Sequence, residues 1–277
     1  MIDTILEYKE LHLRKNKVNL HYYHPELSKD FADVNLGDSL SPVIVEWMLN
    51  SRGLSLDCET SSTKNLYALG SILSMGMQDT TVWGTGFPYE LFPKIREKHT
   101  FPNRKLDIRC VRGPKTRKTL LSLGYDCPPV YGDPAILMPL IYMPDADKNE
   151  DIIVIPHMNT EMAIRKLVPD SIIVSMQTNN FKQIIDRICS ARYVVSSSLH
   201  GIILAEAYGI PAVFFQDRED ALNYKYEDWY LSTNRRIEIF SDLNNAFNAV
   251  GKKTDIPDLS TMRRNLIDSF PFDLWEK

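Results

Sequence analysis

A histidine and three serines stand together in the sequence at a point where the backbone can also bind an anion. The motif SSSLHG, at residues 196–201, ends a predicted buried strand and begins a predicted helix. The first amides of a helix, here near Ser198 and Gly201, have no partners within the helix and suit a phosphate. The imidazole of His200 can bind the same anion or transfer a proton near neutral pH. A histidine that only caps the helix or satisfies a core carbonyl is the alternative.

An arginine in the motif VRGPKT, at residues 111–116, is a second group suited to an anion. Arg112 follows a predicted strand, and its guanidinium fork can form two parallel hydrogen bonds with a carboxylate or a phosphate. We therefore predict that Arg112 is the main anion ligand, with the charge of Lys115 added from the following turn. His157 follows another predicted strand and is expected to face the same site. A solvated arginine that pairs with a neighbour is the alternative for Arg112.

A carboxylate stands in the motif NLGD, at residues 35–38, before the first predicted helix. Gly37 permits close approach of the backbone, and the start of the helix attracts negative charge. Asp38 can accept the proton of an attacking hydroxyl, and it can equally be a helix cap. Asn35 stands beside it as a further polar group.

Residues that suit a saccharide follow in the second half of the chain. Glu206, on the helix after His200, can accept hydrogen bonds from a ligand or pair with a nearby lysine. Lys225 and Trp229 stand in NYKYEDWY, at residues 223–230. An exposed tryptophan beside charged groups can stack on a sugar ring, although a tryptophan in the core is the commoner case.

These residues need a scaffold that brings distant segments to one place, and the sequence predicts one. Short β-branched runs alternate with segments of helical period, which is typical of parallel sheets covered by helices, so we predict an α/β fold. Strands are predicted at residues 18–23, 66–69, 81–83, 107–111, 152–155, 172–174, 193–196 and 212–215. Helices are predicted at residues 42–49, behind a Ser41 cap, and at 115–123, 181–190, 201–208, 241–250 and 262–270.

A polar stretch, MPDADKNE at residues 143–150, has no periodicity and separates two sets of strands and helices. We predict one α/β domain at residues 1–144, a second at 151–255, and a C-terminal helix at 256–277 that packs back on the first. Open parallel sheets bind ligands beyond the carboxyl ends of their strands. The active site is therefore expected in a central cleft between the two domains.

Composition argues against several classes of protein. The chain has 277 residues and a net charge of -4, and no basic stripe alternates with aromatic residues, so no nucleic-acid partner is expected. Its longest apolar stretch, residues 135–143, is interrupted by Pro139 and is far shorter than the roughly 20 residues that span a bilayer. The first residues are charged and do not form a secretory signal, so we predict a cytoplasmic location. The 4 cysteines form no C-x-x-C pair, and metal-binding motifs are absent, so neither metal nor cofactor is expected.

The segment SSSLHGIILAEAYGIPAVFF, together with VRGPKT, GDPA and NLGD, resembles the polysaccharide pyruvyl transferase family. The chain is most similar to the short bacterial ketal pyruvyl transferases of exopolysaccharide pathways, and the matching motifs run from residue 35 to about residue 229. The resemblance implies two Rossmann-like domains around a cleft, as in GT-B glycosyltransferases. It also implies transfer of pyruvate from the co-substrate phosphoenolpyruvate onto two hydroxyls of one sugar, as a cyclic ketal.

This reaction gives the candidate residues predicted roles. His200 and Asp38 are predicted to be catalytic. The predicted donor-binding residues are Arg112, Lys115, Ser198, Gly201 and His157. The predicted acceptor-binding residues are Asn35, Glu206, Lys225 and Trp229.

The expected acceptor is a saccharide or lipid-linked oligosaccharide, a precursor of a cell-surface polysaccharide or exopolysaccharide. A lipid-linked acceptor would bring the enzyme to the inner leaflet of the membrane. Arg235 and Arg236, or the amphipathic end at residues 262–275 with Arg263 and Arg264, could then touch anionic lipid. A C-terminal helix that packs on the first domain is the preferred alternative.

Two other functions are consistent with parts of the sequence. A glycosyltransferase of GT-B architecture that uses a nucleotide sugar would share the predicted fold. Retaining members typically carry two glutamates separated by seven residues, whereas this chain has Phe214 where the partner of Glu206 would stand, which counts against that function. A carbohydrate-binding protein without catalysis would have aromatic platforms and no convergent cations.

Overall fold

The protein is described by a computed structural model that covers residues 13–23, 34–76, 78–88, 104–217, 223–252 and 255–276. Its strands form two sheets in which every pairing is parallel. The first sheet contains, in spatial order, β1 (Val18–His21), β2 (Lys64–Tyr67), β3 (Thr80–Trp83) and β4 (Leu106–Cys110). The second contains β5 (Glu150–Ile155), β6 (Ala191–Ser196) and β7 (Ala212–Phe214). The predicted α/β class is confirmed, and the arrangement as two Rossmann-like domains of GT-B type stays a prediction.

Helices connect the strands and cover the sheets. They are α1 (Leu36–Asn50), α2 (Pro114–Ser122), α3 (Met138–Ile141), α4 (Glu161–Ile164), α5 (Phe181–Ser190), α6 (Leu199–Ala207), α7 (Tyr224–Ser232), α8 (Leu243–Val250) and α9 (Ser260–Asp268). Short 3-10 helices lie at Pro134–Leu137, Asp170–Ile172 and Phe272–Trp275. Among the described residues, no helix combines the length and apolar character that a membrane span requires.

Helix α1 begins at Leu36, so the predicted start at Ser41 and Pro42 is wrong. The side chain of Asn35 caps it by accepting a hydrogen bond from the Gly37 amide, at 3.1 Å. Pro42 lies inside the helix, where it lacks the N–H that would donate to the carbonyl four residues earlier. The earlier start matters for the site, because it places residues 36–38 in the first helical turn.

The strand predicted at residues 172–174 is also wrong. Residues Asp170–Ile172 form a 3-10 helix, and Ile173 makes only an isolated bridge to Val154. The β-branched run still has a physical purpose, since Ile173 is buried at 5% exposure beside the second sheet.

One hydrophobic cluster joins the two sheets. It contains Leu66 and Trp83 from the first sheet and Ile153 and Val194 from the second, with the buried faces of α1 and α6. Both helices pack on the 3-10 helix Pro134–Leu137. The polar stretch at residues 143–150 lies between the two sets of strands, but the halves share this core.

The C-terminal segment lies against the first sheet. The Trp83 indole N–H donates to the Leu266 carbonyl at 3.0 Å. Arg263 donates to the Ile136 and Ala207 carbonyls at 2.9 and 2.6 Å, so its guanidinium is held by the protein. Arg264 is exposed, and contact of this charge with lipid stays a prediction.

Candidate functional site

A cavity of about 110 Å³ lies where segments that follow strands of both sheets meet. Six predicted site residues line it, namely Asn35, Asp38, His157, Ser198, His200 and Lys225. Four further residues complete the lining, namely Ser71, Met158, Met176 and Leu199. The structure therefore brings together parts of NLGD, SSSLHG and NYKYEDWY, which lie far apart in the sequence.

The first turn of α1 holds a buried carboxylate at the cavity. The side-chain amide of Asn35 donates through Nδ2 to Asp38 Oδ2 at 2.9 Å. Burial raises the pKa of the Asp38 carboxyl, and the nearby charges of His200 and Lys225 oppose that rise. On its other side the carboxylate meets Gly70, where a Cβ would lie 2.3 Å from Asp38 Oδ1. Asp38 is thus a carboxyl group that keeps its proton to a higher pH than an exposed aspartate.

The first turn of α6 brings His200 against the same turn of α1. Ser198 caps α6 by accepting from the Gly201 amide at 3.4 Å. The backbone of Gly37 touches the imidazole, and a Cβ there would lie 1.8 Å from His200 Nδ1. The close approach predicted for Gly37 is therefore present, and its partner is the histidine.

Gly201 has a packing role that the sequence did not indicate. A Cβ at Gly201 would lie 2.5 Å from Ser196 Oγ and 2.8 Å from Ile155 Cγ2. Its amide is bonded to Ser198. The structure thus accounts for this glycine by the packing of α6 on β5 and β6, and it does not leave the amide open to a donor.

Asp133 is a residue of the site that sequence reasoning missed. It is fully buried, and its Oδ1 accepts from the Ala135 amide at 3.0 Å. Its Oδ2 lies 3.6 Å from His200 Nε2. The sequence showed it only within GDPA, which is also an ordinary turn motif.

The structure does not place Arg112 in the cavity, contrary to its predicted role as the main anion ligand. The guanidinium is completely buried and its Nε lies 3.3 Å from Asp228 Oδ2. Its Nη1 donates to Ser71 Oγ at 2.9 Å and its Nη2 to the Phe87 carbonyl at 2.6 Å. These protein groups engage the guanidinium N–H groups that a carboxylate or phosphate ligand would need. Arg112 therefore supports the cavity wall through Ser71.

Lys115 is likewise outside the cavity lining. Its ammonium pairs with the Glu227 carboxylate and lies 4.6 Å from the centre of the Tyr224 ring. Of the described residues that line the cavity, Lys225 is the one with a permanent positive charge. The cation that lines the cavity is therefore Lys225 of α7, which was predicted to bind the acceptor, and not Arg112 or Lys115.

Glu206 and Trp229 face the core, and this burial removes them from the predicted acceptor site. Their exposures are 3% and 0%. The Trp229 indole N–H donates to Glu206 Oε2 at 2.9 Å, and Arg235 makes two hydrogen bonds with the same carboxylate, at 2.7 and 2.8 Å. An indole in this position cannot stack on a sugar. Arg235 is also held here, whereas Arg236 is exposed.

His157 lines the cavity from the segment after β5. Its amide donates to Ser197 Oγ at 2.8 Å, and its Nδ1 accepts from the Asn159 amide at 3.3 Å. Within the described part of the chain, no group of three or more histidine, cysteine, aspartate or glutamate side chains is arranged to hold a metal ion.

Comparison with known proteins identifies the family of the chain. The profile of the polysaccharide pyruvyl transferase family matches residues 78–219, just over half of the 277 residues. The chain belongs to this family. The matched region includes VRGPKT, GDPA and SSSLHG. This pyruvyl transferase therefore has a role in the transfer of pyruvyl groups to polysaccharide, with a saccharide as its acceptor.

A relative of this pyruvyl transferase is an uncharacterised protein of Acanthamoeba polyphaga mimivirus. The two are 26% identical over 214 residues, which are 74% of this chain and 69% of the viral protein. Asn35, Asp38 and Lys225 lie outside the region that the family profile matches. It is the fold that brings these three residues to the histidine of the pyruvyl transferase motif.

Proposed function

We propose that the protein transfers pyruvate from phosphoenolpyruvate onto two hydroxyls of one sugar in a polysaccharide precursor, as a cyclic ketal. The observation that carries this proposal is the convergence of Asp38, His200 and Lys225 on one small cavity. A carboxyl group, an imidazole and an ammonium are the groups that this chemistry needs to move protons and hold an anionic donor.

The electrostatics of the cavity suit a small dianion or trianion. The first turns of α1 and α6 both reach it, and the start of a helix carries partial positive charge from the helix dipole. Lys225 adds a full charge. Met158, Met176 and Leu199 supply an apolar wall suited to the methylene group of the donor.

The size of the cavity favours phosphoenolpyruvate over a nucleotide sugar as donor. The cavity has a volume of about 110 Å³. Pockets for larger, drug-sized ligands usually measure roughly 300–1,000 Å³. A nucleoside diphosphate joined to a sugar would have to extend beyond this cavity.

The proposed reaction balances without an oxidant or a metal. An acid of the protein protonates the methylene carbon of phosphoenolpyruvate, and a sugar hydroxyl attacks the adjacent carbon as it loses its proton. The carbon–oxygen bond to phosphate then breaks, and the second hydroxyl closes the ring and loses its proton. The products are the pyruvate ketal and inorganic phosphate. No change of oxidation state remains to be balanced.

His200 and Asp38 divide the proton transfers in this proposal. His200 donates to the methylene carbon or to the leaving phosphate. Asp38 accepts the proton of the attacking hydroxyl, and its raised pKa makes its carboxylate a stronger base than an exposed aspartate. In this proposal Asn35 and Ser198, which line the cavity at the two helix starts, orient the substrates.

The test is an assay of purified protein with phosphoenolpyruvate and a panel of saccharides. We expect phosphate release that depends on the saccharide, together with a new methyl signal from the ketal in the proton NMR spectrum of the product. His200→Asn should lower turnover by about 100-fold or more. Asp242→Asn, which keeps the cap of α8, is a control that should not change it.

Thermal-shift titration separates this proposal from the other functions. Phosphoenolpyruvate should raise the unfolding midpoint, because a ligand that binds only the folded state stabilises it. Uridine and guanosine nucleotide sugars should not. A midpoint raised by a nucleotide sugar alone, without phosphate release from phosphoenolpyruvate, would overturn the proposal.

A further inference from the structure

We infer that Asp133 is a positioning residue for His200, which keeps the ring proton on Nε2 and leaves Nδ1 as the nitrogen that exchanges a proton. The consequence of this role for turnover rests on the proposed function, whereas the effect of Asp133 on the tautomer of the His200 ring does not. The inference starts from two buried atoms, Asp133 Oδ2 and His200 Nε2. Neither has a hydrogen-bond partner in the described part of the chain, and they lie 3.6 Å apart.

The presence of two buried polar atoms without hydrogen-bond partners at one place needs a physical explanation. A buried polar atom without a partner destabilises a protein, and native structures contain few of them. Here each atom is the complement of the other, because a carboxylate oxygen accepts and an imidazole N–H donates. The separation slightly exceeds a hydrogen bond. Catalytic hydrogen bonds in free enzymes are often long and shorten when substrate binds.

The carboxylate cannot turn away to find another partner. Asp133 has 0% exposure, and its Oδ1 is held by the Ala135 amide at the start of the 3-10 helix Pro134–Leu137. That capping role alone does not require an aspartate, since asparagine and serine cap equally well. The charge at this buried position therefore points to a second role, and His200 is the group in line with it.

The ring of His200 is confined on two sides. Asp133 faces Nε2, and the backbone of Gly37 lies beside the ring near Nδ1 without forming a hydrogen bond with it, so Nδ1 stays available for proton exchange. A carboxylate accepts hydrogen bonds and cannot donate them, so the neutral ring keeps its proton on Nε2. Nδ1 then carries the lone pair in the neutral ring and the mobile proton in the charged ring.

The other ionisable groups at the same cavity complete the surroundings of the ring. They are Asp38 from α1, His157 from the segment after β5 and Lys225 from α7. Asp38 is the proposed base for the hydroxyl, and Lys225 is the proposed contact of the donor anion. Asp133 has no place at the substrate, because it is fully buried and outside the cavity lining.

Nitrogen-15 NMR of the histidine rings tests the first part without any substrate. The variant is Asp133→Asn, which keeps the cap and removes the charge. Its matched control is Asp242→Asn, the same change at the cap of α8. His200→Asn identifies the His200 signals by their loss. At a pH where the ring is neutral, we expect the wild type and the control to carry its proton on Nε2, and Asp133→Asn to show a mixture of both tautomers, because an amide can donate or accept.

Turnover tests the second part in a double-mutant cycle. Asp133→Asn should lower kcat by about 100-fold and change the donor KM little, with a displaced pH profile. In a His200→Asn background the same change should have no further effect, because a positioning residue acts through the ring. A purely structural aspartate would lower the rate further in that background.

Several results would overturn the inference. It fails if Asp133→Asn keeps the wild-type tautomer, or if the loss of rate is additive with that of His200→Asn. Asp133→Ser, which also keeps a cap, is the second variant if the asparagine variant does not fold. If neither folds while Asp242→Asn does, Asp133 is structural. If the tautomer changes as expected but phosphoenolpyruvate is not a substrate, the proposed function fails and the assignment of Asp133 to the ring stands.

Discussion

Gly37 and His200 show how single residues fix the geometry of the cavity. They belong to the first turns of α1 and α6, which come from different halves of the chain. The absent side chain of Gly37 is the space that the imidazole occupies, since a Cβ would lie 1.8 Å from Nδ1. The position of the histidine therefore depends on a residue with no chemistry of its own.

Gly37→Ala should displace His200 and lower turnover. Because the cavity wall cannot hold both a Cβ at position 37 and His200 Nδ1, we expect an overpacking loss of about 1–3 kcal/mol in the free energy of unfolding. Gly251→Ala is the control, since the Cβ there would have its nearest neighbour at 3.9 Å and the backbone is already in the helical region. Steady-state kinetics and urea unfolding check both variants. Equal behaviour of the two would contradict the packing argument.

The buried carboxyl of Asp38 gives the protein a predictable pH dependence. Burial raises its pKa above the unfolded value, so the folded state binds this proton more tightly. The stabilising contribution is full at low pH and is lost as the pH rises through the raised pKa. Asp38→Asn abolishes this pH-dependent loss of stability, so the melting temperature of the variant should exceed that of the wild type at pH 7.

The difference in melting temperature between Asp38→Asn and the wild type should shrink as the pH falls toward the ordinary pKa range of an aspartate. Scanning calorimetry between pH 4 and pH 8 measures it. Turnover of the same variant should fall by about 100-fold, because the amide cannot accept a proton. Asp242→Asn is again the matched control. A variant that melts below the wild type at pH 7 would show that the charge of Asp38 stabilises the fold.

At the residue scale, sequence patterns predicted most residues of the cavity. They failed where burial decides whether a side chain can meet a ligand. Asn35, Asp38, His157, Ser198, His200 and Lys225 were all predicted site residues, because most of them follow strand ends or begin helices. Arg112 and Trp229 were assigned to ligands because their chemistry suits ligands. Whether an arginine meets a substrate or a buried aspartate depends on a distant segment, here α7, which no local pattern reveals.

Among the elements, α7 links the cavity to the buried Arg112. Asp228 on this helix accepts from the Lys115 and Thr116 amides, at 2.8 and 3.0 Å, and so caps α2, whose own N-cap residue Gly113 has no side chain to do so. The same carboxylate neutralises Arg112. One turn earlier in α7, Lys225 lines the cavity. The buried pair therefore sets the position of the cavity cation.

Arg112→Met should destabilise the fold strongly, because it leaves the buried Asp228 carboxylate without its counter-charge. We expect a loss of about 3–5 kcal/mol in the free energy of unfolding, measured by urea denaturation. Arg109→Met is the control, since Arg109 lies in β4, three residues before Arg112, and its ion pairs are partly exposed, where a pair usually contributes about 1 kcal/mol or less. Similar losses for the two variants would contradict a special role of the buried pair.

Element types were easier to predict than element limits. Hydrophobic periodicity is a local property, and it located the strands of both sheets to within a few residues. Helix α1 was predicted to start too late because Pro42 suits the first helical position. Its real cap, Asn35, is equally suitable, and the choice between them is made by the packing of residues 36–41 against the core.

For the whole molecule, the shared hydrophobic core limits how independent the halves can be. The polar stretch at residues 143–150 predicts a domain boundary, and that prediction rests on local polarity and not on long-range packing. The core cluster nevertheless includes residues of both sheets. Separation of the halves would expose the buried faces of α1 and α6.

We therefore expect a single cooperative transition on unfolding. Urea denaturation should give coincident curves when followed by tryptophan fluorescence and by far-UV circular dichroism, because neither half keeps its core without the other. The tryptophans report on both halves, since Trp83 lies in the first sheet and Trp229 in α7. Two separate transitions would show that each half folds by itself.

The hydrogen bond between Trp83 and Leu266 has a consequence for how the chain matures on the ribosome. The two residues are 183 positions apart, and the indole N–H is buried. The first sheet is synthesised long before its partner segment, so until α9 is made the Trp83 indole lacks this protein partner and its apolar surface stays exposed. Long-range contacts of this kind slow folding and leave early intermediates open to aggregation. A nascent chain that stalls before α9 should therefore depend on chaperones far more than the finished protein does.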